Sequence, residues 1–482
     1  MGLGLCGPFS LFLLAACGSS SPSPGGTAGA SASGGSTSLA GSDNGGTPNE
    51  AGAGGKSTGV GGTPSDGGGA GGGSAGSGVC KHELTNAACW QTHKFSPYTD
   101  IQQAFFGAVF DGQYMHFVNG ASGIKDVHLR FDTRTDFVTG NWSTFDTAND
   151  IDSGFRGGAF DGRYVYLTPT NPLHNGAAQQ TYDAVVARFD TRAPFSSGTS
   201  WSSFNLTQAS GTPDLTVPGF RGAAFDGRYV YFAPAAVGSF TSADDTPSGK
   251  VTRFDTQADF GTRASWSTFD LGTVAANATN FAGAIFDGHY LYFAPSAKEN
   301  ALAVRYDTQA EFSMSGSWVT FETTSLNQFA GGFDGGVFDG RYLYFVPHSG
   351  LNSSYHAVVT RYDTAGAFTT ADSWSTFDTS AINPSQFSQW AFQGGAFDGR
   401  YLYLVPSNGA PLVRFDTKAD FSSTAAWSSV RIGQVAPDSS SFSGAAFDGR
   451  YLYLVPNGLL SAARFDAGAN GDLPAAAHGS FY

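Results

Sequence analysis

One eleven-residue string recurs along the chain with few changes. "AFDGRYLYLVP" begins at Ala396 and again at Ala446, and close variants begin at Val109, Ala159, Ala224, Ile285 and Val337. The Asp of each "FDG" falls at Asp111, Asp161, Asp226, Asp287, Asp339, Asp398 and Asp448, a step of about 56 residues. A repeat of this length is one supersecondary unit that buries its apolar face only against its neighbours.

Each unit reads as four short strands. The first is "F-x-G-G-A-F", as at 155–160, and "DG" follows as a hairpin signal for a type I′ turn. The second is the aromatic "RYVYLTP" ended by Pro, the third "VVARFDT" and the fourth "WSSF". No unit holds an apolar stretch of 3.6-residue period, so helical solenoids are excluded. Seven such units predict an all-β fold, a seven-bladed β-propeller of four-stranded antiparallel blades. Copy seven lacks its Trp strand, while "CWQTHKF", with Trp90 and Phe95, stands unassigned ahead of copy one. The N-terminal segment is therefore expected to complete the last blade and close the ring, which removes an open sheet edge.

The order "dG-x-Y-[VL]-Y … R-[FY]-D-T … W-x-[ST]-F", over roughly residues 90–466, is similar to kelch-type repeats. It departs from them in placing the Gly pair in strand one rather than after the Tyr strand. The resemblance implies a propeller and little about activity. Kelch proteins include protein-binding scaffolds and a copper radical oxidase whose Cys is cross-linked to Tyr. No Cys lies inside these blades, so that chemistry is excluded.

The chain outside the repeats suggests how the propeller is carried. Residues 1–17 end an apolar run in Leu14-Ala15-Ala16-Cys17, which resembles the lipobox of bacterial lipoproteins, with Cys17 as the lipidated residue. Lys and Arg are absent from "MGLGLCGPFS", which departs from that pattern and leaves an ordinary secretory signal as the alternative. Residues 18–78 are Gly, Ser, Ala, Thr and Pro for the most part, a flexible tether with a root-mean-square span of roughly 40–45 Å. Residues 79–482 are the propeller. The expected location is the bacterial cell envelope, at the outer membrane or cell surface, with the lipid as the one membrane attachment and the protein a monomer. Cys80 and Cys89 are expected to form a disulfide, a metal site with His82 and His93 being the weaker reading. A net charge of −14 argues against a nucleic-acid surface.

Sevenfold-repeated polar residues cannot build one asymmetric site. The "FDG" Asp are expected to bind turn amides, and the Arg of "R-[FY]-D" to pair with carboxylates between blades. Function is sought where the copies differ. The one–two hairpin and the three–four loop are nearly constant, with Asp190 to Trp201 and four equivalents all 11 positions. The loops on the opposite face vary: strand-two Pro to strand-three Arg is 19 positions in copies two and three but 8 in copies six and seven. Binding resides on variable loops over a rigid scaffold.

Those loops offer His174, Tyr182, Asp244 and Asp245, then His348, Tyr355 and His356, and Trp390. A second set precedes the strand-one Gly, where neighbours repeat but the residue reads Phe106, Arg156, Arg221, Ala282, Asp334, Gln393 and Ser443. Arg156, Arg221, Asp334 and Gln393 are candidate ligand residues around the channel mouth. No catalytic constellation is legible, and no cofactor is expected. The stretches 149–154 and 243–249 are acidic enough for Ca2+ but short of a full calcium loop. The expectation is a non-enzymatic envelope module that recognises a protein or polysaccharide. The alternative is a glycoside hydrolase or lyase using Asp183, Asp244 or Asp245.

Overall fold

The structure, a computed structural model, describes residues 80–481 except 96–104, 121–126, 147–153, 171–183, 208–214, 216, 218, 236–247, 297–300, 349–356, 383–391, 408, 459–460 and 469–479. The signal, Cys17, the tether and both calcium stretches lie wholly or mainly outside these residues. Among the described residues no helix is long and apolar enough to cross a membrane.

The repeats fold as seven antiparallel four-stranded blades. In blade 2 the inner strand is Phe155–Phe160, followed by Tyr164–Pro169, Val185–Asp190 and the outer strand Trp201–Asn205. Inner strands of the other blades begin at Phe105, Phe220, Phe281, Phe333, Phe392 and Phe442. Each inner strand packs against those of both neighbouring blades, and the seventh against the first, so the blades form a closed ring around an axis lined by inner strands.

Second strands such as Tyr164–Pro169 are buried on both faces, because a blade is covered on each side by another. Between blades 2 and 3, Tyr166, Phe220, Phe232 and Trp266 form one such core cluster, each contributing about 1.5–3 kcal/mol when fully buried.

The hairpin turn differs from its expected type. Gly162 has φ +94° while Arg163 is not left-handed, and this holds at every "DG". A single positive φ at the first central position is the II′ pattern rather than I′. The two strand-one glycines divide their roles. Gly157 takes φ +71° at a bulge, whereas a Cβ on Gly158 would stand 2.2 Å from the Tyr166 carbonyl oxygen.

Ring closure follows the expectation. Trp90–Lys94 pairs with the third strand of blade 7, Trp90 opposite Phe465 as Trp201 is opposite Phe189 in blade 2. The Trp90 indole N–H donates to the Leu84 carbonyl at 2.9 Å, just as Trp266 donates to the carbonyl of Phe260, six residues back. Residues 80–89 therefore occupy the place of the missing three–four loop, and Cys80–Cys89 is a disulfide. The residue that completes the Trp-x-x-Phe pattern is His93, not Phe95: its ring stacks on Trp142 of blade 1 at 4.3 Å, where Phe204 stacks on Trp266.

The chain also returns at its far end. Ser480–Phe481 pairs with the inner strand of blade 2 (Ser480 opposite Ala159, Phe481 opposite Gly158) and with that of blade 3 (Phe481 opposite Ala223). Blades 2 and 3 thereby become one nine-stranded sheet.

Candidate functional site at the ring axis

The repeated polar side chains satisfy one another. In blade 2 Asp161 Oδ1 accepts the N–H groups of Arg163 and Tyr164 at 2.8 and 2.6 Å, and Oδ2 accepts the Tyr166 hydroxyl at 2.7 Å. Burial, then the Asp161 charge and hydrogen bond, push the Tyr166 hydroxyl far above its ordinary pKa. Replacing Asp398, the fully buried equivalent in blade 6, by Ala removes the carboxylate that accepts the Tyr403 hydroxyl and is expected to cost about 1–3 kcal/mol in urea denaturation. A change under 0.5 kcal/mol would refute this latch.

The Arg of "R-[FY]-D" departs from expectation. Arg188 does not pair with a carboxylate between blades but lies 4.1 Å from the Tyr164 ring centre and 4.2 Å from that of Phe260 in blade 3, while its Nε donates to Ser202. The carboxylate of Asp190 is instead taken by Arg163, from the turn of its own blade, at 2.6 Å. A guanidinium suits the aromatic slot because it is weakly hydrated and stacks on ring faces. At the blade 6–7 junction, Arg414 stacks on Tyr401 and donates to the His82 carbonyl of the disulfide segment.

The non-repeating set gathers at the axis. Arg156 of blade 2 donates through Nη2 to both carboxylate oxygens of Asp334 of blade 5, at 3.1 and 3.4 Å. Blades 2 and 5 are three apart in a ring of seven, so this bond reaches across the axis. Both side chains are buried, 7% and 3% exposed. The Phe106 ring lies 5.0 Å from the Arg156 guanidinium, and Arg221 Nη1 donates to Ser296 Oγ at 3.0 Å.

His348, a candidate from the variable loops, joins this set. Its Nδ1 donates to the Phe392 carbonyl at 2.6 Å, which leaves Nε2 as the acceptor. Burial holds its pKa below the ordinary 6.5; the Asp334 carboxylate and Phe392 carbonyl oppose this, and the charges of Arg156 and Arg221 add to it. The imidazole is therefore neutral at pH 7. Gln393 Oε1 is buried without a hydrogen-bond partner among the described residues, a site for an incoming donor. Ser443 donates to the Phe105 carbonyl, and Ala282 is buried. The set combines two guanidiniums, a carboxylate and a neutral imidazole in a chain of net charge −14.

His174, Tyr182, Asp183, Asp244, Asp245, Tyr355, His356 and Trp390 lie outside the described residues. Cys80, His82 and Asp466 stand within 4.8 Å of one another, but the Cys80 sulfur is held in the disulfide and offers no thiolate.

A buried histidine pair escaped the sequence reading. In blade 1 His116 stands where the other blades have the latch Tyr, its Nε2 donating to Asp111 Oδ2 at 2.9 Å. His116 Nδ1 lies 3.2 Å from His128 Nε2, and both rings are buried. The signal was present as a double break in the repeat: Tyr becomes His at 116, and an aliphatic position becomes His at 128.

No family model matches the chain, and no curated protein does. Among solved structures it is similar to a streptogramin B lyase (12% identity, TM-score 0.49, covering 78% of this chain and 97% of that one). It is likewise similar to virginiamycin B lyase from Staphylococcus aureus (11%, 0.49, 78% and 98%). A third is PorZ, a surface component of the type-IX secretion system of Porphyromonas gingivalis (12%, 0.45, 80% of this chain and 39% of that one). At this identity and TM-score the likenesses carry no activity, substrate or partner to this chain.

Proposed function

We propose that this chain is a non-enzymatic binding module of the cell envelope. It is exported, lipid-anchored through Cys17, and takes an envelope protein or polysaccharide at its variable-loop face. The observation that carries this reading is the division of polar residues. Repeated ones are consumed in latches and aromatic slots, while the unrepeated Arg156, Arg221, Asp334, Gln393 and His348 are concentrated at the axis. The order of the Tyr, Arg-Asp and Trp motifs within each repeat of the sequence supports a kelch-like unit, and the Gly/Ser-rich tether supports display away from a membrane.

The test is affinity capture from cell-envelope extract with the full chain, against its Arg221→Ala/Trp390→Ala variant. Recovery of a discrete protein or polysaccharide by the wild type, at least ten-fold reduced in a variant of unchanged melting temperature, is expected. Equal recovery by both refutes the chosen face. Progressive shortening of a captured polysaccharide replaces the binding reading with a hydrolase or lyase.

A further inference from the structure

In a propeller the inner edge of each blade carries backbone N–H and C=O groups that the neighbouring blade does not pair. Here two of those edges are bridged by strand addition: Ser480–Phe481 pairs with blade 2 at Ala159 and Gly158 and with blade 3 at Ala223. The pairing is antiparallel to both inner strands, and each inner strand runs toward its "DG" turn. The added strand therefore runs from the turn end of the channel toward the variable-loop end.

Continuation along that direction leads past Gly157 and Gly222 to Arg156 and Arg221. These lie two residues beyond Gly158 and Ala223, or roughly 6–7 Å at strand rise. Blades 2 and 3 are the two that carry Arg at this position; the other five have Phe106, Ala282, Asp334, Gln393 and Ser443. The bridged edges and the two guanidiniums thus coincide in the same pair of blades. At this end of the groove Asp334 holds Arg156 and Ser296 accepts from Arg221.

We infer that the axial channel is an acceptor for an extended peptide, which adds as a strand between blades 2 and 3 and presents a carboxylate to Arg156 and Arg221. Main-chain hydrogen bonds supply affinity with little demand on sequence, and the paired guanidiniums supply the end-point. The chain's own residues 480–481 are the resident occupant, and a partner peptide exchanges with them. This inference shares Arg156 and Arg221 with the binding site proposed above and deepens that reading, but the peptide enters from the turn face rather than over the variable loops.

The test uses a fluorescently labelled synthetic peptide of residues 471–482 with a free carboxylate, read by anisotropy. The protein is the full chain, as wild type and as Ser480→Pro/Phe481→Pro, whose prolines cannot donate to a ladder. The proline variant is expected to bind the peptide saturably and at least ten-fold more tightly than wild type. Amidating the peptide, or adding Arg221→Ala to the proline variant, should weaken binding at least ten-fold. An amidated peptide with Asp in place of its last residue should recover it, which separates a side-chain from a terminal carboxylate.

Equal binding by both proteins, no binding by either, or indifference to amidation overturns the inference. Hydrogen exchange on wild type gives a reading that needs no substitution: residues 155–160 and 220–225 should exchange more slowly than 392–397, the unbridged inner strand of blade 6. Equal exchange overturns the strand addition itself. Failure of the variable-loop capture experiment leaves these outcomes unchanged.

Discussion

Trp90→Ala lowers the free energy of unfolding by about 3–5 kcal/mol, the range for truncating a buried Trp. The side chain is 6% exposed, its ring centre lies 4.8 Å from that of Phe465, and its indole N–H is bonded to Leu84. Every other blade holds its outer strand to its third by a hairpin of the same chain segment. Blade 7 lacks that covalent connection, so the ladder of Trp90–Lys94 on Ser461–Phe465, the Trp90 side chain and the Cys80–Cys89 segment hold the ring shut. The expected consequence is a second effect that Trp427→Ala, at 5% exposure in blade 6, does not share. Hydrogen exchange in Ser461–Asp466 should rise sharply for Trp90→Ala because its ladder partner is lost. Urea denaturation and exchange on the two variants check both. A cost under 1 kcal/mol, or the same exchange pattern in the two, would show that the N-terminal strand is an ornament rather than a closure.

That closure was legible because it depends on local grammar. A Trp strand missing from the last copy and present ahead of the first is a bookkeeping mismatch that only a ring resolves. The blade pairings were legible for a related reason, since aromatic strands separated by "DG" specify their own antiparallel neighbours. What the sequence could not show is which blades face each other. Arg156 and Asp334 are 178 positions apart and occupy equivalent repeat positions. Their bond is a property of closing seven blades into a circle, and it became visible only with the ring built. His348 was legible as a variable-loop candidate but not as a member of the axial set, for the same reason: its loop neighbours are local, whereas the groups that surround it come from other blades. The strand at 480–481 sits in "AGANGDLPAAAHGSFY", which carries no alternating pattern. Its pairing depends on open backbone edges, which leave no trace in side-chain sequence. The strand-three Arg was misassigned because a charge next to Asp in sequence suggests an ion pair, while the slot between Tyr and Phe rings exists only once blades are stacked.

His116→Tyr/His128→Val restores the repeat in blade 1 and is expected to abolish most of its acid sensitivity. Tyr occupies the first position in the other six blades, and the second reads Val186, Val251, Ala303, Val359, Leu412 and Ala462. Burial pushes the pKa of both histidines below 6.5. The Asp111 contact partly offsets this for His116, and the Arg130 charge adds to it for both. Burial raises the Asp111 carboxyl, but the His116 ring together with the Tyr114 and Gln113 amides outweighs it and leaves Asp111 below its ordinary value. Tyr114 and Phe195 hold Arg130 beside the pair, so a proton added there meets a second positive charge.

The sign follows directly. The unfolded chain takes up protons at these histidines below pH 6.5 while the folded one resists, so their stabilising contribution is complete above 6.5 and declines as pH falls toward the folded values. Each histidine contributes a slope of up to about 1.4 kcal/mol per pH unit in that window. Wild type should therefore lose about 1–3 kcal/mol between pH 7.5 and 5.5 relative to the double variant. His93 and His348, also lowered, remain in both proteins and cancel in the comparison. Parallel pH profiles would mean that the pair is protonated in the folded ring without cost. A flat difference with higher stability throughout would mean that the double change acts only through packing. A difference that opens below pH 6.5 assigns the acid-labile seam of the ring to the junction of blades 1 and 2, where the repeat breaks its own rule.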